Sequence, residues 1–344
     1  MSELDSAVEV WRGDRIESRH RVAVCVADPA GRVRAALGDV AQTIYPRSAI
    51  KPFQAVPLVE SGAADRLGFS EAELALACAS HSGRPEHTAR VAALLGRLGL
   101  AEADLGCGPH EPIDRDAACA LCRSATPPGR LHNNCSGKHA AMLALARDLG
   151  APTAGYLEPG HPVQRQILGS VGAFCGIDAQ DRPGIDGCSA PAPAMPLAAL
   201  AQGAALLADP SALAPARRDA VTRIRRAMQA RPDLVAGPGR ADLVLMRAVP
   251  QLVTKTGAEG VFLGAVPPLR LGFAIKALDG AERAAETALL AVLDALGLLE
   301  PIDRTPLQSR IEPPIRDRNG VVVGRIAAAP AWRDALDRAL RPLR

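Results

Sequence analysis

The sequence predicts an α+β protein: a mainly antiparallel sheet formed by the N- and C-terminal segments, with a helical lobe inserted between them. Three observations carry this reading. Both ends of the chain read as strands, the middle reads as capped amphipathic helices, and the order strands, helices, strands, helix fits an antiparallel sheet with an inserted helical lobe. With 344 residues the chain can bury a sizeable core, as one large domain or two interleaved lobes. The expected organisation is a single domain over 1–344, with a sheet lobe of about 1–45 and 235–344 and a helical lobe of about 46–234.

Residues 7–38 read as strands. Val22, Val24 and Val26 alternate, and Asp28-Pro29-Ala30-Gly31 marks a turn before the next extended run, Arg32–Leu37. Helical signals follow. Ser70 and Glu73 have capping-box spacing, and Phe69 with Leu74 has that of a hydrophobic staple. Pro85 opens a helix whose apolar face is Val91, Leu94, Leu95 and Leu98, closed by Gly99. Residues 136–149 form another, ended by Gly150, and further helices are expected at 162–174, 196–207, 211–230 and 281–297. Residues 252–278 add three strands, and 300–314, with four prolines, reads as an extended connection. Asn319-Gly320 between Ile315 and Val321-Val322-Val323 is a hairpin signal.

Composition narrows the function classes. The apolar fraction of 48% and charged fraction of 22% are those of a globular protein. A net charge of +3, with Lys and Arg scattered, supplies no electrostatic footprint for nucleic acid or a membrane surface. The first twenty residues hold no apolar h-region, and no run of about eighteen apolar residues could span a bilayer. The expected compartment is the cytoplasm, where the eight cysteines are thiols or metal ligands before they are disulfides.

The candidate chemistry sits in a few polar strings. Ser48-Ala49-Ile50-Lys51 has S-x-x-K spacing, which on a helix puts both side chains on one face. A serine hydroxyl needs a base to become a nucleophile, and a lysine serves only from its neutral form. Pro52 fits a first helical turn, which places Ser48 at the helix start. The same spacing also describes an ordinary N-cap serine followed by a surface lysine. Lys255-Thr256-Gly257, about two hundred residues later, brings a second cation and a small residue beside a ligand. Ala79-Ser80-His81-Ser82-Gly83 offers a second hydroxyl, or simply a helix end running into a turn. The string 131–139, LHNNCSGKH, is a polar entry to a helix, and Asp186-Gly187-Cys188 is a second polar turn with a thiol. Cys119 and Cys122 look like half a zinc knuckle without its other half.

Taken together, RSAIKP, ASHSGRPEHT, HNNCSGKHAAML, IDGCSAPAPAMPL and TKTGAEG resemble the Rhizobium etli-type L-asparaginases, or asparaginase II-like family, from about residue 8 to 330. The resemblance implies a fold like that of serine β-lactamases and glutaminases, and hydrolysis of L-asparagine to L-aspartate and ammonia. It implies two Ser-Lys pairs, Ser48 with Lys51 and Ser80 with Lys255, and a zinc ion held by Cys135, Lys138 and Cys188. It further implies a homodimer. Arg47 and Asp186 would pair with the α-carboxylate and α-ammonium of the substrate by charge complementarity. The S-x-x-K and K-T-G strings also mark serine β-lactamases and penicillin-binding proteins, but the S-D-N of that set is not found between them. A β-lactamase or glutaminase, and a non-catalytic zinc or amino-acid binder, are the rival readings. Both Ser-Lys pairs being intact speaks against the binder.

Overall fold

The computed structural model of the protein describes residues 6–300 and 302–344. Residues 1–5 of the N-terminal stretch and Pro301 of the proline-rich connection lie outside the described residues. The chain forms two compact units. One gathers the N-terminal segment through Ala49, Met195–Asp209 and Val244–Arg344; the other is Ile50–Ala194 with Pro210–Leu243.

The first unit holds two main antiparallel sheets and a two-stranded pair, Thr43–Ile44 with Met195–Pro196. Its main strands are β1 (Val8–Arg12), β2 (Arg15–His20), β3 (Val22–Ala27), β4 (Val33–Leu37), β5 (Val253–Gly257), β6 (Val261–Val266), β7 (Leu271–Ala277), β8 (Pro314–Arg316) and β9 (Val322–Ala328). They are ordered β4-β3-β7-β6-β5 in one sheet and β8-β9-β1-β2 in the other, so each sheet joins strands from both ends of the chain. All six residues of β3 are buried, and the helices Leu197–Ala208 and Glu282–Ala295 both pack on its sheet. A strand covered on both faces reads as a continuous apolar run rather than an alternation. The first helix approaches closely: a Cβ on Gly272 of β7 would overlap the backbone at Ala204 and Ala205. Leu197, Leu200 and Leu207 are buried there, each worth about 1.5–3 kcal/mol relative to exposure.

The turn before β4 forms as its composition demands. The Asp28 carboxylate accepts the Ala30 and Arg32 N–H groups at 3.0 and 3.1 Å, and Gly31 takes a φ of 79°. The Asn319-Gly320 hairpin joins β8 to β9, with only Gly320 left-handed and Asp317 accepting from the N–H groups of Asn319 and Val321. Residues 300–314 are not simply extended. Short helical turns run over Thr305–Leu307 and Gln308–Ile311, because Pro306 at the start of a turn loses no hydrogen bond and Leu307 is buried. Three helices of eight or more residues went unread: Arg115–Arg123, Ala241–Ala248 and Pro330–Leu340. The last had a signal, Trp332, Leu336 and Leu340 on one buried stripe behind Pro330 at its first turn.

The second unit is mostly helical. Helices Lys51–Glu60, Glu71–Ala77, Ser136–Asp148, Pro162–Cys175 and Pro215–Ala230 pack around a core that includes Phe53 stacked on Phe174 at 4.9 Å. Ser70 and Glu73 make the expected capping box, with Phe69 and Leu74 both buried. Among the described residues, no helix is long and apolar enough to cross a membrane.

Candidate active site

The helical unit brings six of the expected residues into one polar interior: Lys51, Ser80, Cys135, Lys138, Asp186 and Cys188. Lys51 is the first residue of its helix, with Pro52 in the first turn as expected. Its side chain is 1% exposed, and Nζ donates to the Ala79 carbonyl at 2.6 Å and to Ser80 Oγ at 3.0 Å. Ser80 follows the end of helix Glu71–Ala77, and its own N–H donates to the Val235 carbonyl at 3.0 Å. Lys51 and Ser80, drawn from the two expected Ser-Lys pairs, are thus hydrogen-bonded to each other.

The second cluster lies at the start of helix Ser136–Asp148. Glycine is required at 137, because a Cβ there would overlap the Leu76 carbonyl of the neighbouring helix. That close approach buries Lys138, whose Nζ donates to Cys188 Sγ at 3.1 Å. Cys188 sits in a tight turn, with Ser189 at φ 68° and Asp186 accepting the Gly187 N–H at 2.8 Å. The Asp186 carboxylate stands 4.0 Å from Cys188 Sγ. A hydrogen bond with Cys188, then the nearby ammonium groups of Lys51 and Lys138, hold the Cys135 thiol well below its ordinary range despite burial. The same sulfur pair and burial push Cys188 up, so the two sulfurs titrate as a pair. Burial works against the charge on Lys138, but the two sulfurs outweigh it and raise its pKa.

Two sulfurs and one amine thus converge as donors. That set fits zinc, which favours thiolates, once Lys138 gives up its proton. Among the described residues, no group of three or more His, Cys, Asp or Glu side chains could hold a metal, and the third donor beside the two sulfurs is the amine of Lys138. Cys119 and Cys122 lie apart from this cluster, partly exposed on helix Arg115–Arg123.

Sequence reasoning missed the struts around these clusters. His81 is fully buried. Its Nδ1 accepts the Gly83 N–H at 3.1 Å, so Nε2 carries the proton and donates to Ser136 Oγ at 2.8 Å. The His81 ring stacks on His87 at 5.1 Å, and burial, then the neighbouring His87 and Lys51, holds it neutral. Asn133 donates to the Cys107 carbonyl at 2.7 Å and accepts the Cys135 N–H at 2.9 Å, which fixes the loop before the helix. The only signal for these was the density of polar residues in two strings that otherwise read as turns.

The sheet unit carries the remaining expected residues. Lys255 is fully buried on β5, opposite Leu263 of β6, and Nζ donates to the Thr256 carbonyl at 2.8 Å. Ser48 is half-buried in the single helical turn Arg47–Ile50, where the Ala49 N–H donates to the Pro46 carbonyl at 3.1 Å. Arg47 has φ 53°, a left-handed conformation that a non-glycine residue holds only under constraint.

Comparison with solved structures finds remote likenesses. One is a crystal structure of Mglu, at 17% identity over 82% of this chain and 69% of that chain, with a TM-score of 0.45. A second, of Mglu in its native form, shows 16% identity over 80% and 63%, with a TM-score of 0.45. A third, a β-lactamase from Mycobacterium bovis, shows 18% identity over 79% and 94%, with a TM-score of 0.41. The chain spans between 59% and 69% of the three Mglu chains it matches. No curated protein sequence matches it. The family model for L-asparaginase II, in contrast, matches residues 8–328, a stretch that takes in both units and every polar cluster described above. The chain belongs to the L-asparaginase II family and is an L-asparaginase.

Proposed function

We propose that the protein hydrolyses the side-chain amide of L-asparagine through a serine ester, with lysines moving the protons. The observation that carries this is the buried pair of Lys51 Nζ and Ser80 Oγ, 3.0 Å apart. A buried lysine is costly unless its donors are matched, and a globular core rarely keeps one without a use. In this reading Ser48 Oγ attacks the amide carbon while Lys51, in its neutral amine form, accepts its proton. Backbone N–H groups near the helix start stabilise the oxyanion. Ammonia leaves with a proton delivered through the Lys51–Ser80 pair, and water then cleaves the β-aspartyl ester. Lys255 supplies a second positive charge. Arg47 and Asp186 receive the α-carboxylate and α-ammonium of the substrate.

A second reading makes Ser80 the nucleophile, because it is the serine that Lys51 touches. Intact-protein mass after rapid quenching with L-asparagine separates the two. Ser48→Ala should carry no aspartyl adduct if Ser48 is acylated, and Ser80→Ala none if Ser80 is.

Zinc belongs to the same proposal, with Cys135, Lys138 and Cys188 as its ligands. When bound it would supply fixed positive charge that orients substrate and the 132–139 loop. Without it, Lys138 provides that charge between the sulfurs. A homodimer and a cytoplasmic location complete the proposed description. Ammonia release from L-asparagine, measured beside L-glutamine and a chromogenic β-lactam, tests the activity against its nearest rivals. Comparable turnover of the β-lactam would overturn it.

A further inference from the structure

We infer that Gly257, the third residue of the K-T-G string, is a positioning residue for Ser48. It seats the serine turn rather than clearing room for substrate. All of the geometry lies within the sheet unit. Gly257 ends β5, opposite Val261 of β6. A Cβ placed on it would overlap the carbonyl oxygen of Pro46 and would lie 3.1 Å from Val261 Cβ and 3.4 Å from Ala49 Cβ. The Pro46 carbonyl also closes the serine turn by accepting the Ala49 N–H at 3.1 Å. Between those two residues stand Arg47, in its left-handed conformation, and Ser48.

The bare edge of β5 is thus the wall against which the turn rests. A backbone carbonyl cannot swing aside as a side-chain tip does. With alanine at 257, the Pro46 carbonyl has to retreat by about 1 Å to reach ordinary contact. Its hydrogen bond to Ala49 and the constrained φ of Arg47 would move with it, and Ser48 Oγ would be carried along. Only glycine satisfies both the strand and the turn here.

This rests on the reading of Ser48 as a catalytic serine, and the experiment separates the two. Gly257→Ala is compared with wild type, with Ser48→Ala, and with Gly38→Ala. The last is a control in the same unit, strained by its φ of 74° and crowded only against β3, at Ala23 and the Val22 carbonyl. Two readings are taken on folded protein: the kcat and KM for L-asparagine, and the rate of phosphonylation by a small alkyl fluorophosphonate, a reagent that needs the serine but not the asparagine pocket. Gly257→Ala should lower kcat by about 100-fold with KM little changed, and slow phosphonylation by a similar factor. Gly38→Ala should melt earlier yet keep both rates. If Gly257→Ala yields little folded protein, the double variant Gly257→Ala with Ala49→Gly removes the methyl next to the new one and gives the same two readings. A raised KM with unchanged kcat and unchanged phosphonylation would overturn the inference in favour of substrate clearance. Wild-type kinetics in Gly257→Ala would overturn it outright. Wild-type turnover in Ser48→Ala would instead remove the reading of Ser48 on which it stands.

Discussion

The two units differ most in what they bury. In the sheet unit the interior is mostly aliphatic and aromatic, with Lys255 on β5 as its buried lysine and Glu9, His20 and Asp28 among its other buried polar groups. The helical unit buries Lys51, Lys138, His81, His87, His139, Asn133 and Ser136 close to one another. Burying such groups lowers stability unless every donor and acceptor is matched. Here many are matched, one to another or to a carbonyl freed at a helix end. The sheet unit is a largely apolar scaffold that carries Arg47, Ser48 and Lys255, and the helical unit spends stability on a polar interior that chemistry can use.

The sharpest way to break this contrast is to remove one buried charge from the helical unit. Lys51→Met keeps the volume and discards the ammonium. Turnover of L-asparagine should fall by roughly a thousandfold or more, while the midpoint of urea unfolding stays level or rises. A fall in stability with activity kept would reverse the roles assigned to the two units.

The sulfur cluster gives the next effect. In chelator-treated protein, Cys135→Ala removes the sulfur that ionises first beside Lys138 and should destabilise by about 3 kcal/mol. Lys138→Met should be near neutral for folding while lowering zinc content, read by elemental analysis against the wild type. Cys119→Ala and Cys122→Ala should leave zinc content unchanged.

The sheet unit should respond in the opposite sense. Gly272→Ala forces a Cβ into the backbone of helix Leu197–Ala208 and should cost about 2 kcal/mol or more in unfolding free energy. Its kcat, measured on the folded fraction, should stay at the wild-type value. A large loss of kcat would mean that the scaffold and the chemistry are not separable in this way.

The smallest effect is one of pH. Burial opposes ionisation of Glu73, but hydrogen bonds from Arg97 and from Ser70 outweigh it and hold the carboxyl below its ordinary range. A carboxyl lowered in the folded state stabilises the fold above the unfolded value, about 4.3, and that contribution is lost as pH falls through the folded value. Glu73→Gln should therefore destabilise by about 1 kcal/mol at pH 7, and the difference from wild type should shrink below pH 4. A difference independent of pH would show that packing, not charge, is what the substitution removes.

The same contrast explains how much could be read from the sequence. The strands β1 to β9, the Ser70 capping box and the Asn319-Gly320 hairpin follow from alternation and turn chemistry, which are local. The helix Leu197–Ala208 could be read, but nothing local says that it lies on β7, because that contact depends on Gly272 some seventy positions on. Lys51, Ser80, Cys135, Lys138 and Cys188 were picked out through family strings. The hydrogen bond from Lys51 to Ser80 was not, because the two residues are 29 positions apart and no local spacing joins them. The buried His81 and Asn133 had no periodicity to betray them, since a polar residue matched inside a core looks in sequence like a polar residue in a loop.

The most direct test of the account is ammonia release from L-asparagine by purified wild type and Lys51→Met, each with its urea unfolding curve. The account predicts robust release by the wild type, loss of at least about a thousandfold in Lys51→Met, and unfolding midpoints that do not fall. Release by Lys51→Met within tenfold of wild type, from protein shown to be folded, would contradict it.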